Sequence, residues 1–338
     1  TWRTSVMPNL QGVWSLVSQY QAIGNNNWAD PLVGDVGLFA RSATSTAIDF
    51  INIASDGNGE DFGNHSSDQG TTAVCGSKTR ALFRIEYISS ASNVIESCEI
   101  HTKGNTTDFG DVSSDLAGAV ASTSLSNNTR GIFAGGAESS TGDHDQIEYV
   151  TIANKGNTTD FGNLSVARDA FGTLSSTTRG VFSMGRAASG DYAANVMDYI
   201  TIGSTGNASD FGDLSVVRTQ SDGASSSTRG LFMGGYNSST SSSTSSRLNT
   251  IDYITIASTG NASDFGDLSS QGTGGGTSNG TKAVFAFGVE HGFSGDSADT
   301  NTIDKVTIAS TGNASDFGDT VNADGTIVRG TSDSHGGL

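Results

Sequence analysis

The sequence predicts an all-β chain: a six-bladed β-propeller of four-stranded antiparallel blades, with the ring closed by a carboxy-terminal strand that joins the amino-terminal blade. Three observations carry this expectation. Asp-Phe-Gly occurs six times, beginning at Asp61, Asp108, Asp160, Asp210, Asp264 and Asp316, with spacings of 47, 52, 50, 54 and 52. A Gly-Asn pair starts four residues before each one, from Gly57-Asn58 to Gly312-Asn313. The end of the chain also supplies a segment that the first repeat lacks. A fixed period near 50 residues marks a repeat architecture.

The repeat between Leu214 and Gly266 shows the elements most clearly. A polar, small-residue stretch (VVRTQSDGASSS) reads as strand a, and Thr228 to Gly235 (TRGLFMGG) as a glycine-flanked strand b. Ile251 to Ile256 (IDYITI) reads as a β-branched strand c, and the Asp-Phe-Gly segment as a short strand d. Strand c places Ile251, Tyr253 and Thr255 on one face and Asp252, Ile254 and Ile256 on the other. Neither face is wholly polar, so both are expected to be covered, as in a blade packed between two neighbours. The first repeat has strand b near Gly34 to Phe39 and strand c at Ile48 to Ile53, with no strand a before them. TIVRGTSDSHGGL at the carboxy terminus resembles VVRTQSDGASS and is expected to complete that blade. Closing the ring removes the open sheet edges. The chain thus divides into an arm, residues 1–32, and a propeller, residues 33–338.

Thirty-five acidic against 17 basic residues give a net charge of −18. That balance argues against nucleic acid and anionic membranes as partners. No run of about 18 apolar residues stands in the chain, so no membrane insertion is expected, and TWRTSVMPNLQGVW lacks the layout of a signal peptide. Cys75 and Cys98 fall on the first and third strands of one blade, roughly 9.5 Å apart by strand spacing. They are expected to be free thiols.

The aromatic strand ending in Gly-Gly (Phe133 to Gly136, Phe232 to Gly235), followed by an acidic-aromatic strand (Glu148-Tyr149, Asp252-Tyr253), resembles the kelch repeat. Phe in Asp-Phe-Gly stands where a kelch repeat would normally show Trp. The wording IDYITIASTGNASDFGDLS and SSSTRGLF also resembles repeat proteins of tailed bacteriophages, marine ones especially, as does the lead-in GVWSLVSQYQAI with NNNW. This resemblance implies a non-enzymatic virion structural protein, a tail or capsid appendage for host-surface adhesion or protein assembly. Its partners would be other virion proteins and a host surface glycan or protein. A secreted glycan-binding lectin or glycan-processing propeller is the alternative.

Two ladders recur as structural repeat positions. The Asp-Phe-Gly acids have a second member three residues on, at Asn64, Asp111, Asn163, Asp213, Asp267 and Asp319. Their expected role is to accept turn N–H groups, with calcium as the alternative. The basic ladder Arg80, Arg130, Arg179, Arg229 and Lys282 precedes strand b and breaks at Val36. It is expected to pair with Asp side chains of the same or neighbouring blades, against the alternative of a cationic ring for an anionic ligand. His65, His101, His144, His291 and His335 are scattered and suggest neither zinc nor copper. No acid, base and nucleophile set assembles, so no cofactor and no catalysis are expected. Trp2, Trp14 and Trp28 make the arm a candidate element for docking onto another protein, with folding back to plug or brace the propeller as the alternative. The long b–c connections, Asn237 to Arg247 and His291 to Asn301, are the other candidates for display.

Overall fold

The computed structural model describes residues 35–41, 45–67, 70–85, 92–116, 119, 122–138, 142–187, 195–237, 246–291, 297–321 and 328–338. They form six four-stranded antiparallel blades arranged as a six-bladed β-propeller, with no helix among them. Blade 1 has strand a at Val328–Ser332, b at Val36–Arg41, c at Ala47–Asn52 and d at Glu60–Asn64. In blade 2 the four are Thr71–Gly76, Arg80–Ile85, Val94–Glu99 and Thr107–Asp111. Blade 3 has Thr123–Ser126, Arg130–Ala134, Gln146–Thr151 and Thr159–Asn163; blade 4 has Thr173–Ser175, Arg179–Ser183, Val196–Thr201 and Ser209–Asp213. In blade 5 they are Asp222–Ser225, Arg229–Met233, Thr250–Thr255 and Ser263–Asp267. Blade 6 has Gln271–Ser278, Lys282–His291, Thr302–Thr307 and Ser315–Asp319.

The terminal strand closes the ring. Val328 to Ser332 pair antiparallel with Arg41 to Gly37, and this strand lies between the a strands of blades 6 and 2. The a strands thus ring the axis, and the d strands form the outer edges.

Apolar side chains fill six seams, one between each pair of neighbouring blades. Alternation decides the sorting. In blade 5, Leu231, Met233 and Ile251 face blade 6, whereas Phe232, Ile254 and Ile256 face blade 4. Each strand c therefore feeds two seams, which is why neither of its faces is polar. The Phe of every Asp-Phe-Gly is buried in the seam towards the next blade. A register shift between strands c and d recurs in all six blades and leaves that Phe without a cross-strand partner. Such a bulge re-aims one side chain. Here it turns an edge-strand residue inward, where each Phe contributes about 1.5–3 kcal/mol of burial.

Candidate functional site: inter-blade latches, a narrow channel and its plug

The Gly-Asn turn of each blade locks onto strand d of the blade before it. Asn105 Oδ1 accepts the Asn64 N–H at 3.1 Å, and the Gly104 N–H donates to the Phe62 carbonyl at 2.8 Å. The same pair of bonds recurs at every seam, ending with Asp319 N–H to Asn58 Oδ1 at 3.1 Å and Gly57 N–H to the Phe317 carbonyl at 2.9 Å. Glycine is needed twice in each latch. The turn glycines have φ near +155°, a region essentially closed to side chains. A Cβ on the Asp-Phe-Gly glycine would collide with the carbonyl of the next blade's turn, as at Gly110 against Gly156.

Of the predicted ladders, Lys282 pairs as expected with an Asp of the neighbouring blade, Asp56 at 2.9 Å, and Arg80 with an acid of its own blade, Glu99 at 3.0 Å, whereas the other members have partners other than those expected. The carboxylates of Asp61, Asp108, Asp160, Asp210, Asp264 and Asp316 lie exposed at the outer edge, not in inter-blade ion pairs. Of the second ladder, Asn64, Asp111, Asn163, Asp213, Asp267 and Asp319 enter the latches through their backbone N–H groups. The guanidinium groups of the basic ladder bond to backbone carbonyls of the next blade. Arg80 donates to Ile152, Arg130 to Ile202, Arg179 to Ile256 and Arg229 to Ile308, each at 2.8–2.9 Å. Arg130, Arg179 and Arg229 also lie over Tyr149, Tyr199 and Tyr253 at 4.3–4.6 Å. The end of strand c presents its last carbonyls towards the neighbour, and a guanidinium with several donors and a flat face satisfies both carbonyl and ring. Lys282 instead bonds Asp56, which Lys305 also engages.

The acids buried between blades are those of strand c, to which sequence reasoning assigned a face and a likeness to the kelch repeat but no partner. Asp49, Glu96, Glu148, Asp198, Asp252 and Asp304 are all buried, and each accepts a backbone N–H from the segment that follows strand d of the preceding blade. In five of them the same residue, Ser66, Ser113, Ser165, Ser215 or Ser269, adds its hydroxyl. Arg168 and Arg218, fully buried, pair with Asp198 at 3.0 Å and Asp252 at 2.8 Å. A signal for these acids was present, since one acid precedes the Tyr or its equivalent in every strand c. The pairing of Glu with Thr two residues into the turn's end (Glu96 with Thr106, Glu148 with Thr158) marks it further.

At the axis, serine hydroxyls join the a strands. Ser126 Oγ donates to the Gly76 carbonyl at 2.7 Å, Ser175 to Ser126 at 2.8 Å, Ser225 to Ser175 at 2.6 Å, Ser278 to Ser225 at 2.7 Å and Ser332 to Ser278 at 2.6 Å. Blade 2 has Gly76 at this position and no hydroxyl to continue the ring. His335 sits there, with Nε2 at 3.2 Å from the Gly76 carbonyl and 3.3 Å from Ser126 Oγ. The residues after Ser332 are therefore a plug. Cβ atoms on Gly336 and Gly337 would collide with the backbone of Ser226 and Ser126, so the tail crosses the channel mouth against blades 2, 3 and 5. The expected match of TIVRGTSDSHGGL to VVRTQSDGASS is corrected in register. Arg329 occupies the place of Asp222, opposite Ala40 as Asp222 is opposite Met233, and not that of Arg218.

Asp222 and Arg329 both line the channel. Burial pushes the Asp222 carboxyl up to about 6 against the pull of Arg329, while the Gly223 and Gly276 N–H groups bond to it at 2.8 and 3.1 Å. The cavity among Thr123, Ser124, Thr173, Asp222, Thr277 and Arg329 has a volume of about 50 Å³. That holds a few waters, whereas organic ligands occupy pockets of roughly 300–1,000 Å³.

Cys75 and Cys98 are buried and free on strands a and c of blade 2, and burial pushes both thiols up to about 12. Burial holds the imidazoles of His65 and His335 below their ordinary value, His335 at about 4. Among the described residues no group of three His, Cys, Asp or Glu side chains is placed to hold a metal ion. Trp2, Trp14, Trp28 and the arm 1–32 lie outside the described residues, as do most of the Asn237–Arg247 connection and residues 292–296 of the His291–Asn301 connection. No helix of the described residues is long and apolar enough to cross a membrane. Comparison with models of known protein families and with curated proteins finds no match.

Proposed function

We propose that the chain is a non-enzymatic display scaffold of a tailed-phage particle, a tail or capsid appendage that uses the propeller for host-surface adhesion or for holding neighbouring virion proteins. The observation that carries this reading is the difference between the two faces. All six c–d connections have one length, and every a–b turn described joins its strands over the same short span. That face is saturated by latches, and the tail plugs its channel mouth. The b–c connections, which leave from the opposite face, run from the short link between Arg41 and Ala47 to the long one between Met233 and Thr250. A constant frame with variable connections on one side is how rigid scaffolds present binding loops. The likeness of the repeat wording to phage repeat proteins supports a place on the particle.

Quantitative mass spectrometry of purified particles, together with adsorption assays in the presence of excess isolated chain, tests the proposal. Stoichiometric presence and blocked adsorption or failed assembly are expected. Absence from particles together with sugar binding or glycan turnover by the isolated chain would establish the secreted lectin or glycan-processing reading instead.

A further inference from the structure

Six latches share one geometry, and one of them differs by a single residue. The latch asparagine is followed by Thr106, Thr158, Ala208, Ala262 and Ala314 in blades 2 to 6, and by Gly59 in blade 1. Asn58-Gly59 therefore places the bare sequence pair Asn-Gly at the seam between blades 6 and 1, where the two ends of the ring meet. Asn58 is exposed, like its five counterparts.

We infer that Asn58-Gly59 is a self-modification site, a deamidation-labile latch whose reaction is gated by opening of the closing seam. The backbone nitrogen of residue 59 is the nucleophile, and a glycine there carries no Cβ to obstruct its approach to the Asn58 Cγ. The N–Cγ bond forms, the Gly59 nitrogen gives up its proton and ammonia leaves, generating a succinimide. Water then opens either carbonyl, giving aspartate or isoaspartate. One water is consumed and one ammonia released, so no oxidant or other co-reactant is needed.

In the closed ring both partners are held. The Gly59 N–H donates to the Asp319 carbonyl at 2.6 Å, and the Asn58 carboxamide oxygen accepts the Asp319 N–H at 3.1 Å. Attack requires both bonds to break, which is local opening of this seam. Asp56, two residues away, bonds Lys282 and Lys305 of blade 6 and keeps the seam shut. The isoaspartyl product lengthens the backbone at the latch and adds a negative charge beside Asp319, so each event weakens the closure that had restrained it.

Peptide mapping by mass spectrometry after incubation of the full chain at mildly alkaline pH tests this. The five other latch asparagines serve as controls within the same molecule. Acid products are expected at Asn58 roughly tenfold ahead of any of the other five, and Gly59→Ala, which copies blades 4 to 6 and meets only ordinary contacts, should abolish the lead. Asp56→Ala should accelerate Asn58 by about fivefold, the factor that ~1 kcal/mol of lost ion pairing gives. Arg179→Ala, which loosens the distant seam between blades 4 and 5, should leave the rate unchanged. Equal rates at all six asparagines would overturn the inference. So would an Asn58 rate that ignores Asp56→Ala, or one that rises equally with Arg179→Ala.

Discussion

Asp252 and Asp264 stand opposite one another across strands c and d of blade 5, and burial separates their roles. Asp252 is fully buried against Arg218 and Ser215, whereas Asp264 is exposed at the outer edge. Asp252→Asn leaves the Arg218 charge buried without its counter-ion, so a loss of about 3 kcal/mol is expected in urea unfolding. Asp264→Asn and its equivalent Asp210→Asn should change stability by no more than about 0.5 kcal/mol, the scale of an exposed site. His335 gives a second test at this scale. Its folded-state value of about 4 lies below the ~6.5 of an unfolded chain, so the unfolded state takes up the proton first as pH falls. Stability from this group is complete above pH ~6.5 and is lost towards pH 4, by roughly 3 kcal/mol in all. Asp222, raised to about 6, acts in the opposite sense: its contribution favours folding at low pH and declines as pH rises through that value. The stability difference between the parent chain and His335→Gln should therefore grow with pH across this window. A flat difference would contradict docking of the imidazole at Gly76.

At the scale of the element, strand d is where a short, polar, glycine-containing segment becomes a structural joint. Its Phe enters the seam through the bulge, its glycine lies against the next blade's turn, and its aspartate points to solvent. Charge on an exposed edge strand also opposes pairing with another sheet. Gly110→Ala puts a Cβ into the Gly156 carbonyl and is expected to cost about 2–4 kcal/mol in urea unfolding, with the fold otherwise retained. The strands themselves could be read from period and composition. The partners of their polar groups could not, because a carbonyl that accepts from Arg229 in the next blade has no sequence signature.

For the whole molecule, stability depends on closure. The terminal strand contributes Val328 to the seam between blades 6 and 1, pairs with Val36–Arg41, and carries Ser332 into the axial hydroxyl ring. Removing Val328–Leu338 opens the ring at two seams, so a fall of many degrees in Tm within a single transition is expected by scanning calorimetry. Fraying of one blade with the main transition unmoved would contradict this. Chelator is expected to leave Tm unchanged, since the Asn58, Asn105 and Asn157 carboxamide oxygens already accept backbone N–H groups.

Number of blades, strand order within a blade, the split of strand c between two faces and the role of the last segment all followed from the sequence, because each is a repeated pattern of residue types that local physics reads directly. Six copies of Asp-Phe-Gly and a missing first strand leave few other ways to bury the apolar residues. Which acid is buried was decided only by the tertiary structure: strand c and strand d each offer one in every blade, and the bulge and the neighbouring blade select the former. The same holds for the plug. His335 acquires its place from the one blade whose strand a ends in Gly76 instead of serine, a defect visible only when six strands meet around one axis.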